Sequence, residues 1–347
     1  MTTTRSVRNA CILAVLLSAC SIQRQEPTQA AGMMDDHMSH MMSEDLVAPK
    51  VVRASNGEFS QGIAGLPASN NMAAARLAAS PRHSEWVKIA WEPGSKDSLM
   101  AWIVYPTTTN AHTPVVVVVH EIFGLSTWVR GVADQVAADG FIAIAPDLLS
   151  RVRGGPTADE LKSDSATKLI RGVDVAERNR GIDAAAYYAM AQPSAAQTFA
   201  VIGYCWGGTT TWTAGIHNTK GFRGGVAFYG AFPYMTPAVA GGAAAAPIAD
   251  SMAKIKQPIM LLSGSKDARI GASMPAIDSA MKAQGHWYYG MNYDGAVHGF
   301  LRAQDDAKAA TPQCDEACAN KERADNLAAT KDAWPRTIAF LKKNLGV

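Results

Sequence analysis

The chain has 347 residues, 48% of them hydrophobic, with 32 basic and 30 acidic side chains. That supplies enough apolar material for one large domain with extensions, or two small ones. The near balance of charge offers nothing to a nucleic acid or another strongly charged polymer.

The first element is an export signal. Arg5 and Arg8 precede a short apolar run from Cys11 to Ala19, too short to span a bilayer and typical of a signal peptide. The run Leu17-Ser-Ala-Cys20 resembles the bacterial lipobox, which implies that residues 1–19 are removed and that Cys20 is lipidated. A lipid-anchored protein outside the cytoplasm is expected, periplasmic or associated with the outer membrane of a bacterium. Arg5 and Arg8 are the only charged residues of the signal, so the remaining body carries 30 basic and 30 acidic side chains. No later segment is long and apolar enough for a membrane helix.

Residues 20–83 show no sustained apolar period and are expected to form a low-order tether. The tether contains Met33-Met-Asp-Asp-His-Met-Ser-His-Met-Met42. Its thioethers and the imidazoles of His37 and His40 are weak candidates for a copper or zinc ligand set. No glycine turn or partner cluster fixes a ligand geometry, so biased linker composition accounts for the run better, and neither a metal nor another cofactor is expected.

From residue 84 the pattern becomes regular. Glu85–Trp91 and Leu99–Tyr105 read as an antiparallel hairpin. Pro114–Val119 is a continuous β-branched run suited to a parallel strand buried on both faces. A helix is predicted over Ser126–Asp139, a strand over Gly140–Pro146 and a helix over Val173–Met190. Further strands are predicted at Phe199–Gly203, Gly225–Tyr229, Pro258–Ser263 and Trp287–Tyr293, with helices at Ser273–Ala283 and Asn320–Asn344. Strands alternating with helices after an N-terminal hairpin predict a mostly parallel, doubly wound α/β sheet, with residues 84–347 as one domain and the protein as a monomer.

Within that pattern, Gly203-Tyr-Cys-Trp-Gly-Gly208 follows an apolar strand and precedes a helix. This is the glycine-nucleophile-glycine elbow, with Cys205 in the nucleophile position. Of the five cysteines, Cys11 leaves with the signal and Cys20 takes lipid; Cys314 and Cys318 could pair with each other in an oxidising compartment. Cys205 is then the one left over.

A thiol nucleophile needs a base, and the base an acid that orients it. Elbow hydrolases place them in the order nucleophile, acid, histidine. Among eight histidines, only His286 and His298 follow Cys205 with acids between. His286 opens a strand, at the wrong end; His298 lies just past that strand's C-terminal end, where open α/β sheets build their sites. Asp267 follows the strand Pro258–Ser263 at the same edge, and Asp294 is a weaker rival.

Residues of about 84–345 resemble the dienelactone hydrolase family of the α/β-hydrolase fold. The resemblance rests on His120-Glu-Ile-Phe-Gly124, Gly140-Phe through Pro146-Asp-Leu, the elbow, Gly264-Ser-Lys-Asp267 and His298-Gly-Phe-Leu-Arg302, all in the family's order. It implies a cysteine-dependent hydrolase of a carboxylic ester or lactone, working through a thioester. The oxyanion donors would be the backbone N–H of Trp206, as the elbow itself requires, and, by resemblance, that of Ile122. The resemblance further implies that Glu121 gates the thiol, that Arg302 binds a substrate carboxylate and that Tyr229 lines the pocket. No match for the family's second substrate arginine is found, and Pro237–Asp250 reads as an insertion at the pocket rim. Two other readings fit the same chain: a metal-handling lipoprotein with an idle hydrolase-like body, and an acyltransferase on this fold.

Overall fold

The computed structural model describes residues 62–347 apart from 93, 110, 158–160, 162, 239–243 and 305–313. A short helix α1 (Ala73–Ala78) precedes the strands β1 (Ser84–Ala90) and β2 (Ser98–Val104). Then come β3 (Thr113–Val119), α2 (Thr127–Ala138), β4 (Ile142–Asp147), α3 (Ser150–Arg153), α4 (Ser163–Arg171) and α5 (Val175–Met190). The elbow joins β5 (Ala195–Tyr204) to α6 (Trp206–His217). It is followed by β6 (Phe222–Phe228), β7 (Met235–Thr236), β8 (Ala246–Pro247), α7 (Ala249–Met252) and β9 (Ile259–Gly264). The chain closes with α8 (Ala268–Ala283), β10 (Tyr288–Tyr293), α9 (Phe300–Ala303) and α10 (Glu316–Leu345).

Eight strands form one sheet in the order β1-β2-β4-β3-β5-β6-β9-β10. The β1–β2 and β2–β4 pairs are antiparallel and all the others parallel. Every residue of β3 and β4 is buried. Successive side chains of a strand point to opposite faces, so full burial means that both faces of the sheet centre are covered. The edge strand β10 leaves Gly290 and Asn292 exposed and its other residues only partly covered. This is the α/β-hydrolase architecture that the sequence predicts, entered through the predicted hairpin. The register places Val119 beside Gly203, Phe228 beside Leu262 and Tyr293 beside Gly264, so the loops that leave β3, β5, β6, β9 and β10 gather along one edge.

The segment before residue 84 departs from the expected tether. Leu66, Ala68 and Ala73 are buried, the Trp128 indole N–H donates to the Ala68 carbonyl at 3.1 Å, and Arg82 grips Asp134 through Nε at 2.9 Å and Nη2 at 2.6 Å. The boundary at residue 84 therefore falls too late. Small residues and polar bonds hold this segment down, and neither leaves an apolar period in the sequence. Two further differences have local causes. Helix α8 starts at Ala268 instead of Ser273, because Asp267 caps it by accepting from the Ile270 N–H at 3.4 Å. Helix α4, not anticipated, buries Ala166 and Ile170 one turn apart. At the insertion, β8 within it pairs antiparallel with β7 just before it, Met235 beside Pro247. Cys314 and Cys318 are joined by a disulfide, their Cα atoms 5.3 Å apart. Among the described residues no helix is long and apolar enough to cross a membrane.

Candidate active site

Cys205 sits on the turn between β5 and α6 with φ 57° and ψ −114°. A side chain with positive φ is held against its intrinsic preference, at a cost of about 1–3 kcal/mol. Close packing holds it there. A Cβ on Gly203 would lie 1.9 Å from the Gly207 carbonyl oxygen, one on Gly207 2.4 Å from that of Val119, and one on Gly208 2.6 Å from that of Phe228. Only glycines let the elbow nest between the ends of β3 and β6. The Cys205 N–H donates to the Phe228 carbonyl at 3.0 Å, which locks the turn to β6.

The thiol is buried and in no disulfide. It lies beside the His298 imidazole, close enough for each group to shift the other's ionisation, and the backbone N–H of Trp206 reaches it as well. His298 donates through Nδ1 to Asp267 Oδ2 at 2.5 Å, which leaves Nε2 to accept the thiol proton. Asp267 is buried, at the end of β9. Asp294 is taken up elsewhere, accepting from the Ser265 hydroxyl at 3.3 Å.

The electrostatics set a neutral thiol beside a basic imidazole. Burial pushes the ionisation of Cys205 up; the interaction with His298 opposes this, and the charge of Glu121 adds to it. For His298, burial disfavours the imidazolium, but the interactions with Asp267 and Cys205 outweigh it and raise the pKa well above the ordinary histidine value. A proton that leaves the thiol thus has a prepared place on the imidazole.

Glu121 and Ile122 follow β3 and are buried. Glu121 Oε2 lies 3.6 Å from Arg302 Nε, and the Arg302 guanidinium stands 5.2 Å from the Phe123 ring. Tyr229, with φ 40°, places its ring 4.9 Å from that of His298. Its hydroxyl is buried without a hydrogen-bond partner among the described residues, and so is that of Tyr204. Burial, then the nearby charge of Glu121, pushes both phenols well above their usual range. The resemblance pointed to Tyr229. Tyr204 was missed, although its place between Gly203 and Cys205 was a usable signal.

Two other histidines near the elbow in sequence or space have other tasks. His120 is buried, its Nδ1 2.6 Å from the Glu121 carbonyl and its Nε2 accepting from the Leu148 N–H at 3.1 Å. A carbonyl can only accept, so Nδ1 carries the proton. Burial lowers the pKa of His120 in spite of Asp147, and its ring stacks on Trp206 with centroids 5.5 Å apart. His217 pairs with Asp183 at 2.9 Å, away from the thiol. Cys20, His37 and His40 lie outside the described residues. Among those described, no group of three or more His, Cys, Asp or Glu could hold a metal ion.

Residues 99–345 match the dienelactone hydrolase family. The chain belongs to that family. Among curated relatives, a candidate carboxymethylenebutenolidase of Salmonella typhi is 31% identical over 138 residues, covering 40% of this chain and 50% of the relative. One of Escherichia coli K12 is 25% identical over 252 residues, covering 72% and 84%. The chain thus spans about half the length of the first of these relatives. Among solved structures, a candidate dienelactone hydrolase from Klebsiella pneumoniae superposes with a TM-score of 0.58 at 24% identity, covering 75% of this chain and 98% of that one. The dienelactone hydrolase of Anabaena variabilis gives 0.50 at 16% identity, covering 75% and 99%. At these identities the structures show a shared fold. As a dienelactone hydrolase family member, the chain carries the whole histidine-loop segment through Arg302 inside the matched region.

Proposed function

We propose that this protein is a cysteine-dependent hydrolase of small carboxylic esters or lactones. The observation that carries the reading is that Cys205, at a glycine-packed elbow, stands beside the His298 imidazole, which Asp267 holds by a hydrogen bond. His298 Nε2 takes the thiol proton while Asp267 holds the ring and stabilises the imidazolium. The thiolate adds to the acyl carbon, and the carbonyl π pair becomes an oxyanion facing the N–H groups of Trp206 and Ile122. The oxyanion collapses, the C–O bond to the leaving oxygen breaks, and the imidazolium protonates that oxygen. The acyl group is now a thioester on Cys205. Water, deprotonated by His298, adds to it; collapse releases the carboxylic acid, and the sulfur takes back the proton.

Glu121 holds the resting thiol neutral by its charge and releases it when substrate engages Arg302. A neutral thiol also oxidises more slowly than a thiolate, an advantage for an exported enzyme. Arg302 and Tyr229 contact substrate, Arg302 through an anionic group. The signal-like residues 1–19 and the lipobox-like cysteine Cys20 support an enzyme on a lipid anchor outside the cytoplasm, a reading that loss of palmitate labelling in Cys20→Ala would support and retained labelling would refute.

The function is tested with p-nitrophenyl acetate. The wild type should hydrolyse it, and Cys205→Ala should fall to the uncatalysed rate. Equal hydrolysis by both, or by neither, refutes the reading.

A further inference from the structure

The segment that precedes the hydrolase sheet reaches into the site. The Asn70 N–H donates to the Arg302 carbonyl at 2.9 Å, and Arg302 Nε donates back to Asn70 Oδ1 at 3.2 Å. Two residues further, the side chain of Gln304 donates to the Pro67 carbonyl at 2.8 Å. Gln304 is buried and has φ 41°, a strained backbone that persists only where the surroundings over-determine it. The strap therefore clamps α9, the helix that starts two residues after His298, at two points.

The clamp has a chemical consequence at Arg302. Its Nε edge is occupied by Asn70 and faces Glu121, while neither Nη group has a hydrogen-bond partner among the described residues. The side chain keeps about a third of its surface exposed. A guanidinium is planar, so fixing one edge fixes the direction of the other. Asparagine suits the task because its amide oxygen orients the cation without adding to the negative charge that Glu121 already sets beside it; an aspartate there would add a second carboxylate.

We propose that Asn70 is a positioning residue of the active site, holding the Arg302 guanidinium so that its Nη groups meet an anionic group of the substrate. The proposal rests on the reading of Arg302 as a substrate-binding residue. It makes the strap between the tether and the sheet a determinant of preference for anionic over neutral substrates.

The test uses two alkylating agents of nearly equal size, anionic iodoacetate and neutral iodoacetamide, and reads the ratio of their rates of reaction with Cys205. That readout needs neither the natural substrate nor hydrolysis. In Asn70→Ala the ratio should fall by about 2- to 10-fold, the range that one net hydrogen bond supplies, with the iodoacetamide rate unchanged. Arg302→Ala should lower the ratio at least as far, and the double variant no further than Arg302→Ala alone. Asn70→Asp, which keeps the acceptor but adds a second carboxylate beside the guanidinium, should also lower it. If Arg302→Ala lowers the ratio while both Asn70 variants leave it intact, the proposal is overturned and the reading of Arg302 stands. An unchanged ratio in all variants overturns both, and leaves Cys205-dependent ester hydrolysis as a separate question. Equal losses with the two reagents in Asn70→Ala would mean a loosened fold, and also overturn it.

Discussion

The two sides of the site are built by different means. On the nucleophile side, Gly203, Gly207 and Gly208 bring backbone against backbone, and Cys205 is fixed by what cannot move. On the histidine side, polar side chains from distant parts of the chain do the holding. Asn326 Oδ1 accepts from the Val297 N–H at 3.0 Å, Asp267 holds His298, and Asn70 and Gln304 tie down α9. Steric fixation tolerates no substitution, whereas polar fixation can be weakened one bond at a time. The nucleophile side should therefore fail all at once and the histidine side in steps.

The largest expected effect is on the first side. In Gly203→Ala the new Cβ would meet the Gly207 carbonyl, so the elbow must rebuild; the loss should exceed about 4 kcal/mol and leave no cooperative thermal transition. A normal melting curve would show that the elbow yields more than the packing suggests. On the second side, Asp267→Asn keeps the shape but no longer stabilises the imidazolium, and should lower kcat by on the order of 10⁴-fold with the fold intact. A loss below tenfold would indicate that another acid, such as Asp294, can serve.

Glu121 stands between the two sides, and its substitution separates gating from bracing. Removing its charge takes away one of the influences that raise the Cys205 pKa. In Glu121→Gln the pH profile of iodoacetamide alkylation should move to lower pH, so that the thiol reacts faster near neutrality. Ester hydrolysis should fall at the same time, because the gate has gone. Faster alkylation with unchanged hydrolysis would reduce Glu121 to a brace. The smallest effect is expected for Asn326→Ala, which strands the buried Val297 N–H at a cost of about 1–3 kcal/mol. The melting temperature should drop by a few degrees per kcal/mol, with kcat/KM falling less than tenfold. No change in either would mean that the loop before His298 is held by something else.

The same division explains what could be read from the sequence. The elbow is a local pattern, with glycines and a cysteine within six residues, so spacing alone reveals it. His298 and Asp267 emerge because the fold's topology dictates chain order and strand ends, and the structure brings both to Cys205. Arg302 depended on resemblance to a family. Asn70 had no local signal at all, because its role comes from a contact spanning 232 residues of sequence, and residues 62–83 were assigned to the tether for want of an apolar period. Tyr204 lay in plain view within the elbow but needed the position of Glu121 to acquire meaning. Patterns that act within one turn of chain are legible, and those completed by a remote side chain are not.

The central claim is that Cys205 carries the acyl group. Mass spectrometry of the protein quenched during turnover of p-nitrophenyl acetate tests it most directly. The expected result is a 42 Da increase, the mass of one acetyl group replacing a hydrogen, located on the peptide bearing Cys205 and absent in Cys205→Ala. An acetyl group found on another residue, or steady hydrolysis by Cys205→Ala, would contradict it.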